Sequence, residues 1–218
     1  MMLTILGEEN SILNRFLAQL RDVDFQRNPV LFRKNLERIG QIMAYEISKT
    51  LHYRDRTVET PLGEAEMSLP TDEVVLATVL RSGLPMHTGF LDFYDEAPSA
   101  FVSAYRHNKK DGSFQIDIES LTSPELAGKV LILMDPMLAT GQSIEVAYRN
   151  LVQTGGEPDF THIATIVASQ DGVDYVQKRF PADKFRLWTV AVDQELTVKS
   201  YIVPGIGDTG DLAFGEKI

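Results

Sequence analysis

The chain has 218 residues, a formal net charge of −10, 44% hydrophobic residues and 24% charged residues. These values are typical of a globular protein with a substantial core, and the acidic balance argues against nucleic-acid binding. Cysteine is absent, which excludes disulfides, thiolate metal sites and a cysteine nucleophile. The start shows no secretory signal pattern, and no apolar run approaches the roughly 20 residues of a membrane span. We therefore expect a cytoplasmic protein with no membrane partner.

The first third of the chain predicts two helices and a hairpin. Residues 11–20 predict a short amphipathic helix. Asn28 followed by Pro29 is typical of a helix start, and apolar residues then recur at three- and four-residue spacing to about Leu51. This apolar stripe consists of Phe32, Leu36, Ile39, Met43 and Ile47. Residues 56–60 and 64–69 flank a Pro-Leu-Gly turn and predict a small hairpin.

The rest of the chain alternates strands with helices. Predicted strands cover residues 74–80, 100–106, 114–119, 130–134, 161–169 and 185–192. Predicted helices cover residues 83–93, 144–152 and 173–180. The glycine-rich end, from residue 200, shows no helix pattern, and the polar segment 107–112 between two strands predicts a projecting hairpin arm. The alternation predicts an α/β fold with a mostly parallel central sheet flanked by helices.

The stretch from Val130 to Ser143 predicts an anion-binding site. An apolar strand ends at Asp135, a short turn with small residues follows, and Ser143 opens a helix. The first amides of a helix have no internal partner and carry partial positive charge, so they suit a phosphate. The hydroxyls of Thr140 and Ser143 add donors, and Gly141 lets the backbone approach closely. Asp135 is placed to hold sugar hydroxyls, so we interpret the stretch as a ribose 5-phosphate site.

A second candidate anion loop, Arg81-Ser82-Gly83, directly follows the strand at 74–80. An arginine can hold a pyrophosphate through two parallel hydrogen bonds, although an arginine at a strand end is also common as a surface charge. Arg81 and Asp135 both fall at carboxyl ends of parallel strands, where ligands bind in such sheets. The four histidines show no metal-ligand spacing, so we expect no metal held by protein side chains alone.

Several motifs resemble those of the uracil phosphoribosyltransferases, which are type I phosphoribosyltransferases. The phosphate loop, residues 135–141 (Asp-Pro-Met-Leu-Ala-Thr-Gly), resembles the loop that binds phosphoribosyl pyrophosphate (PRPP) in that family. Arg-Ser-Gly at 81–83 resembles the family's pyrophosphate loop, usually Arg-Ala-Gly, and Tyr105-Arg106 matches the Tyr-Arg pair of its arm. The base loop, residues 201–211 (Tyr-Ile-Val-Pro-Gly-Ile-Gly-Asp-Thr-Gly-Asp), closely resembles the uracil-binding loop. The resemblance covers residues 24–215.

This resemblance implies an enzyme of pyrimidine salvage that transfers phosphoribose from PRPP to N1 of uracil, giving UMP and pyrophosphate. It implies Mg²⁺ bound mainly through PRPP, and PRPP and uracil as the small-molecule partners. It also implies a homodimer or a larger homo-oligomer. The implied architecture is a single domain over residues 1–218, with a small hood lobe beside the sheet. Within it we expect an N-terminal helical segment to about residue 52, a core over about 70–195 and a base-binding segment over about 200–215.

The resemblance also assigns site residues. The residues expected to act in catalysis are Asp135, Arg81 and Asp208. The expected PRPP-binding residues are Arg81, Ser82, Gly83, Arg106, Asp135, Pro136, Met137, Leu138, Ala139, Thr140, Gly141, Gln142, Ser143 and Asp208. The expected uracil-binding residues are Tyr201, Ile202, Gly207, Asp208 and Thr209. In the family, main-chain groups of the base loop read the pyrimidine edge, whose N3–H and two carbonyls suit backbone partners.

Departures from the family pattern leave two alternatives open. Gln142 stands where glycine is usual, Pro85 replaces a glycine and Thr88 an aspartate. Leu212 replaces a basic residue, and the usual His-Pro-Leu stretch near the start is absent. One alternative is a nucleotide-sensing regulator that kept the pocket and lost catalysis. The other is the same transfer to a different base, although the base loop disfavours the larger purines.

Overall fold

The computed structural model describes residues 2–108 and 114–217, and the side chains at positions 106–108, 114 and 115 lie outside that description. The helices of these ranges are α1 (Ile12–Arg21), α2 (Val23–Gln26), α3 (Pro29–Ser48), α4 (Leu84–Leu91), α5 (Gln142–Gly155), α6 (Gln170–Arg179) and α7 (Thr209–Phe214). The strands are β1 (Met2–Ile5), β2 (Tyr53–Thr60), β3 (Gly63–Pro70), β4 (Val74–Leu80), β5 (Ser99–Asn108), β6 (Phe114–Thr122), β7 (Val130–Met134), β8 (Met137–Leu138), β9 (Phe160–Ala164), β10 (Val167–Ser169), β11 (Phe185–Thr189), β12 (Ala191–Asp193), β13 (Glu195–Leu196) and β14 (Ile202–Val203). None of the described helices is long and apolar enough to cross a bilayer.

The described residues form a seven-stranded central sheet in the order β1-β11-β9-β7-β4-β5-β6. Neighbouring strands run parallel, apart from β5 and β6, which pair antiparallel at one edge. This topology confirms the predicted α/β fold with a mostly parallel sheet. The predicted arm is also confirmed as a hairpin, because β5 and β6 pair as far as Asn108 opposite Phe114. Residues 109–113 of the predicted polar segment lie outside the described residues.

Alternate residues of the central strands pack on opposite faces of the sheet. In β4, Leu76 joins a core with α1, α3 and α4, whereas Val75 and Ala77 join a second core with α5 and α6. In β7, Ile132 and Leu133 divide between the two cores in the same way. Because both faces are covered, the central strands are continuous apolar runs rather than alternating ones.

Helix α3 begins where the sequence predicts. Asn28 Oδ1 accepts hydrogen bonds from the amides of Val30 and Leu31, at 3.1 and 3.2 Å. All five residues of the predicted apolar stripe are at most 2% exposed, which confirms that the stripe packs against protein. The helix lies close to α4 at Gly40 and Gly89, because a Cβ at either position would meet main-chain atoms of the other helix.

The structure divides two of the predicted strands. Residues 160–169 form β9 and then β10, and residues 185–193 form β11 and then β12. The second halves, β10 and β12, leave the central sheet and pair with each other, and β10 also pairs with β8, in a separate parallel sheet of order β12-β10-β8. A short strand at the start, β1, was also not predicted, and it pairs with β11 at the edge of the central sheet.

Helix α7 corrects the expectation that the chain end is non-helical. Asp208 Oδ1 accepts hydrogen bonds from the amides of Gly210 and Asp211, at 3.0 and 3.1 Å, and this cap starts the helix. Burial of Thr209 and Ala213 stabilises a helix that is too short to show a periodic pattern. Helix α7 and the residues Gly205 and Ile206 before it lie against the N-terminal helices and form the expected small hood beside the sheet.

Candidate active site

A cleft of about 850 Å³ opens at the carboxyl ends of β4 and β7, where a parallel sheet is expected to bind ligands. Its described walls contain nine of the predicted site residues: Arg81, Ser82, Asp135, Met137, Gln142, Ser143, Tyr201, Asp208 and Thr209. Eight others are not part of the described lining: Gly83, Pro136, Leu138, Ala139, Thr140, Gly141, Ile202 and Gly207. The side chain of Arg106 lies outside the described part of the structure, although its backbone belongs to β5. The fold therefore brings the three predicted loops together.

Gly141 starts α5 in a position that suits glycine. Its φ of 79° is left-handed, and a Cβ there would lie 2.8 Å from Tyr175 and 3.1 Å from Val176 of α6. Glycine offers no side chain to cap the helix, so the first-turn amides of α5 stay available to a ligand. Gln142 and Ser143, the first two residues of α5, line the cleft. This is the geometry of a phosphate site at a helix start.

The middle of the phosphate loop is held in place by the neighbouring elements. The Pro136 carbonyl accepts a hydrogen bond from the Ile166 amide at 2.9 Å, and the Ala139 carbonyl accepts one from the Ser169 hydroxyl. The Leu138 side chain is buried in the core. These residues fix the shape of the loop, and Thr140, which is half-buried, follows them just before the helix start.

Asp135 lines the cleft and is still only 8% exposed. Burial raises the pKa of its carboxyl group to about 7, against the opposing effect of hydrogen bonds donated by the Met137 amide and the Ser82 hydroxyl. The contact from Met137 N to Asp135 Oδ1 is 3.4 Å. Asp135 follows the last residue of β7, at the edge of the sheet where a ligand can reach it.

Arg81 has hydrogen-bond partners within the protein. Its Nη2 donates to Asp211 Oδ1 at 2.9 Å and to the Gly215 carbonyl at 3.1 Å. Its Nε, in contrast, is buried and has no hydrogen-bond partner among the described residues. A buried donor without an acceptor is unfavourable, so an anion that reaches Nε would satisfy it. The loop itself needs Gly83, since a Cβ there would lie 2.7 Å from the Val79 carbonyl oxygen.

The base loop closes another side of the cleft. Asp208 and Thr209 line the cleft at the start of α7. The Ile202 side chain instead packs in the core. Gly207 has a left-handed φ of 76°, and a Cβ there would lie 3.0 Å from Leu212 Cδ1. Ile202 and Gly207 therefore set the path of the loop.

The sequence did not predict part of the lining. Lys199 and Lys217 lie on the described wall together with Arg81, and this positive charge suits an anionic ligand even though the chain carries a net charge of −10. Single lysines in polar segments carry no pattern that separates them from ordinary surface residues. Over residues 2–108 and 114–217, no group of three His, Cys, Asp or Glu side chains could hold a metal ion.

Comparisons with known proteins identify the family of this chain. The family model described as uracil phosphoribosyltransferase matches residues 8–216. The chain is 54% identical, over 98% of each chain, to a protein of Porphyromonas gingivalis named uracil phosphoribosyltransferase. It is 34% identical to a protein of the same name from Pyrococcus furiosus, over 97% of this chain and 89% of that one. The solved structure of the AQ2163 protein from Aquifex aeolicus matches with a TM-score of 0.87 and 26% identity over 100% of both chains. The motif resemblance is thus confirmed, and the chain belongs to the uracil phosphoribosyltransferase family.

Proposed function

We propose that this protein transfers the phosphoribosyl group of PRPP to N1 of uracil and releases UMP and pyrophosphate. The observation that carries the proposal is the presence in one cleft of Asp135, the start of α5 and Arg81. These three groups match the ribose, the 5-phosphate and the pyrophosphate of a single donor. The curated relatives that cover nearly the whole chain carry the corresponding name.

The donor is held at three places in this proposal. The first-turn amides of α5, with the hydroxyls of Thr140 and Ser143, bind the 5-phosphate. The Asp135 carboxyl group binds the ribose hydroxyls. Arg81 binds the pyrophosphate through the Nε that lacks a partner among the described residues, and Arg106 of the arm adds a second cation as the family resemblance implies.

Transfer then depends on positioning and charge rather than on a nucleophilic side chain. The anomeric carbon–oxygen bond to pyrophosphate breaks, the bond to uracil N1 forms, and the N1 proton leaves to solvent. Positive charge develops on the ribose ring and negative charge on the leaving pyrophosphate. Asp135 and Asp208 on the cleft wall stabilise the positive charge on the ribose ring, and Arg81 stabilises the negative charge on the pyrophosphate. The proposed reaction is direct, without a covalent intermediate.

The base loop reads uracil mainly through its main chain in this proposal. Uracil offers an N3–H donor and two carbonyl acceptors, which pair with backbone groups. Cytosine carries an amino donor where uracil carries the O4 acceptor, so a site built for uracil leaves polar groups mismatched with cytosine. We expect the same loop to disfavour purines, because their fused rings need a larger base pocket than a pyrimidine does.

Mg²⁺ is the proposed cofactor. The cleft wall offers the separate carboxylates of Asp135 and Asp208, and the described residues contain no cluster of three metal-ligating side chains. Such a donor set fits an ion held mainly by the oxygens of PRPP and by water, which is how Mg²⁺ commonly binds nucleotide-like substrates. When bound, the ion would neutralise charge on the pyrophosphate leaving group.

The hairpin of β2 and β3 supports the proposed homodimer. All eight residues of β2 are exposed, and Val58, Leu62 and Met67 present apolar side chains to solvent. A two-stranded hairpin has little stability in water without a surface to pack on, so coverage by a second copy would stabilise it. Sedimentation velocity at micromolar concentration should show a dimer or larger species, and a monomer alone would contradict this part of the proposal.

The proposal also keeps residues 1–218 as one domain with a cytoplasmic location. Arg33 donates to the Ala213 carbonyl, so α3 and α7 are joined across most of the length of the chain. A chain without cysteine needs no oxidising compartment for its stability. Expression of fragments ending near residues 52 or 195 should give unfolded protein, whereas a folded fragment would argue for separate domains.

The departures from the family pattern support retained catalysis. Of the four that lie on described elements, only Gln142 stands on the described cleft wall. Pro85 occupies the first turn of α4, where an amide partner is not needed, and the Thr88 hydroxyl donates to the Leu84 carbonyl at 3.1 Å. Leu212 packs beside the base loop. Three of the four therefore lie off the described wall of the cleft.

The proposal is tested by incubating the purified protein with PRPP, Mg²⁺ and uracil, cytosine, adenine or hypoxanthine separately. We expect UMP from the uracil reaction and no nucleotide from the others, as identified by mass spectrometry. Arg81→Ala protein purified in parallel controls for a contaminating enzyme. Binding of PRPP and uracil without product would support the nucleotide-sensing alternative, and a different nucleotide product would reassign the base.

A further inference from the structure

A partly buried ion pair links the N-terminal helices to the base loop. Arg21, the last residue of α1, binds Asp193 through two parallel hydrogen bonds, Nη1 to Oδ2 and Nη2 to Oδ1, both 2.8 Å. Arg21 Nη1 also donates to the Gly205 carbonyl at 3.0 Å, and Asp193 Oδ2 accepts from the Gly205 amide at 2.9 Å. Both main-chain polar groups of Gly205 are therefore held by this one pair.

We propose that Arg21 and Asp193 are positioning residues for uracil recognition, because together they clamp Gly205 and so fix the base loop in the shape that reads the pyrimidine. The inference rests on the proposed function of that loop. Neither residue lies on the described wall of the cleft. Their effect on the substrate is exerted through Gly205.

Gly205 is the point at which a clamp controls the path of the loop. Its φ of 60° is left-handed, and a Cβ there would collide with the Ile202 carbonyl group, so the chain turns tightly on itself. Gln26 tethers the next residue, since its Nε2 donates to the Ile206 carbonyl at 3.1 Å and also to the Leu20 carbonyl. The segment that leads into Gly207 and Asp208 is thus held by the N-terminal helices on its buried side.

The choice of arginine follows from the contacts it makes. The planar guanidinium group reaches both oxygens of Asp193 and the Gly205 carbonyl at once. A lysine carries all its donors on a single nitrogen and cannot reproduce this arrangement. Asp193 is only 7% exposed, so removal of Arg21 leaves a buried carboxylate without its cation. The carboxylate would then lose the orientation that lets Oδ2 accept from the Gly205 amide.

The chain offers a matched control close by. Arg27 pairs with Asp24 at 3.8 Å, and the Arg27 side chain is 79% exposed. Arg27→Ala removes the same charge from the same N-terminal segment without removing a contact to the base loop. Loss of a purely structural ion pair would lower stability and change the KM values for both substrates alike. Loss of a positioning pair would raise the KM for uracil selectively.

The first experiment compares steady-state kinetics of Arg21→Ala, Arg21→Lys and Arg27→Ala with the parent. In Arg21→Ala we expect the KM for uracil to rise at least about tenfold while the KM for PRPP stays within about twofold. Arg21→Lys should lie between Arg21→Ala and the parent, and Arg27→Ala should match the parent. An unchanged uracil KM in folded Arg21→Ala protein, or an equal rise in both KM values, would overturn the inference.

The second experiment measures amide hydrogen exchange without ligands, so it does not depend on turnover. Peptides covering residues 202–208 should exchange faster in Arg21→Ala than in the parent and in Arg27→Ala, with the start of α5 unchanged. Equal exchange in all three proteins would overturn the clamp. If Arg21→Ala does not fold, the double variant Arg21→Gln/Asp193→Asn removes both charges and should show the same selective changes. A parent that makes no UMP would instead count against the proposed function, since the exchange result stands apart from it.

Discussion

Replacing Asp135 with asparagine should stabilise the protein at neutral and alkaline pH while it removes most of the turnover. Burial raises the pKa of this carboxyl group from 3.8 to about 7. Between these two values the folded protein keeps a proton that the unfolded chain has lost. By linkage, the stability contributed by this group is complete below about pH 4 and is lost as the pH rises to about 7, where the folded form also ionises.

The size of the effect follows from the pKa values. Each pKa unit corresponds to 1.36 kcal/mol, so a pKa of about 7 against 3.8 makes the ionised, buried carboxylate cost about 4 kcal/mol of folding free energy. Of this loss in folding free energy, about 2 kcal/mol occurs between about pH 5.5 and 7. Asparagine carries no charge and keeps an oxygen that can accept from the Met137 amide, so its profile should lack this decline.

Urea unfolding provides the assay, because Trp188 is the single tryptophan of the chain and is 2% exposed. Parent and Asp135→Asn stability should diverge by about 2 kcal/mol from about pH 5.5 to 7 and then run parallel at higher pH. Parallel profiles over the whole range would refute a carboxyl pKa raised by burial. In Asp135→Asn, kcat should fall by a larger factor than the affinity for uracil. A normal kcat at saturating substrates would show that Asp135 has only a structural role.

The remaining predictions concern the other loops. Arg81→Ala should weaken binding of PRPP and of pyrophosphate by roughly 1.5–3 kcal/mol in calorimetric titration, and unchanged affinity for both would remove Arg81 from the site. Gly141→Ala should cost at least about 1–2 kcal/mol in thermal unfolding and raise the KM for PRPP, because its left-handed φ and the nearby Tyr175 exclude a side chain. Gly207→Val should block use of uracil, since a branched side chain would strain the backbone and press on Leu212. Thr209→Ala should be mild, because the base loop is proposed to read uracil mainly through its main chain. If Gly207→Val uses uracil at the same rate as the parent, the base loop is not the uracil-binding site.

Local signals explain what the sequence could predict. The capping residue Asn28 and the apolar stripe after it defined α3, because a cap and a 3.6-residue period are both local properties. Arg81 and Asp135 could be assigned to one site because parallel strands end at the same edge of a sheet. The base loop was found from its motif, and its position beside the cleft followed from that resemblance.

Non-local packing explains what was missed. The chain bends after Ala164 and after Thr189, but the apolar run continues through each bend, so no residue type indicates where one strand ends. Helix α7 depends on the Asp208 cap and on burial against α3, and six residues with a glycine among them show no helical period. Arg21 and Asp193, which together clamp Gly205, lie 172 positions apart, and no local sequence pattern predicts that they pair.

Phosphorus NMR of the complete reaction can follow the proposed transfer of phosphoribose from PRPP to uracil. With PRPP, Mg²⁺ and uracil, the signals of UMP and pyrophosphate should grow in equal amounts as PRPP declines, and PRPP should persist when uracil is left out. Loss of PRPP at the same rate without uracil would indicate hydrolysis. If PRPP stays intact in the complete mixture while PRPP and uracil still bind, the result would contradict the proposed enzymatic function and favour a nucleotide sensor.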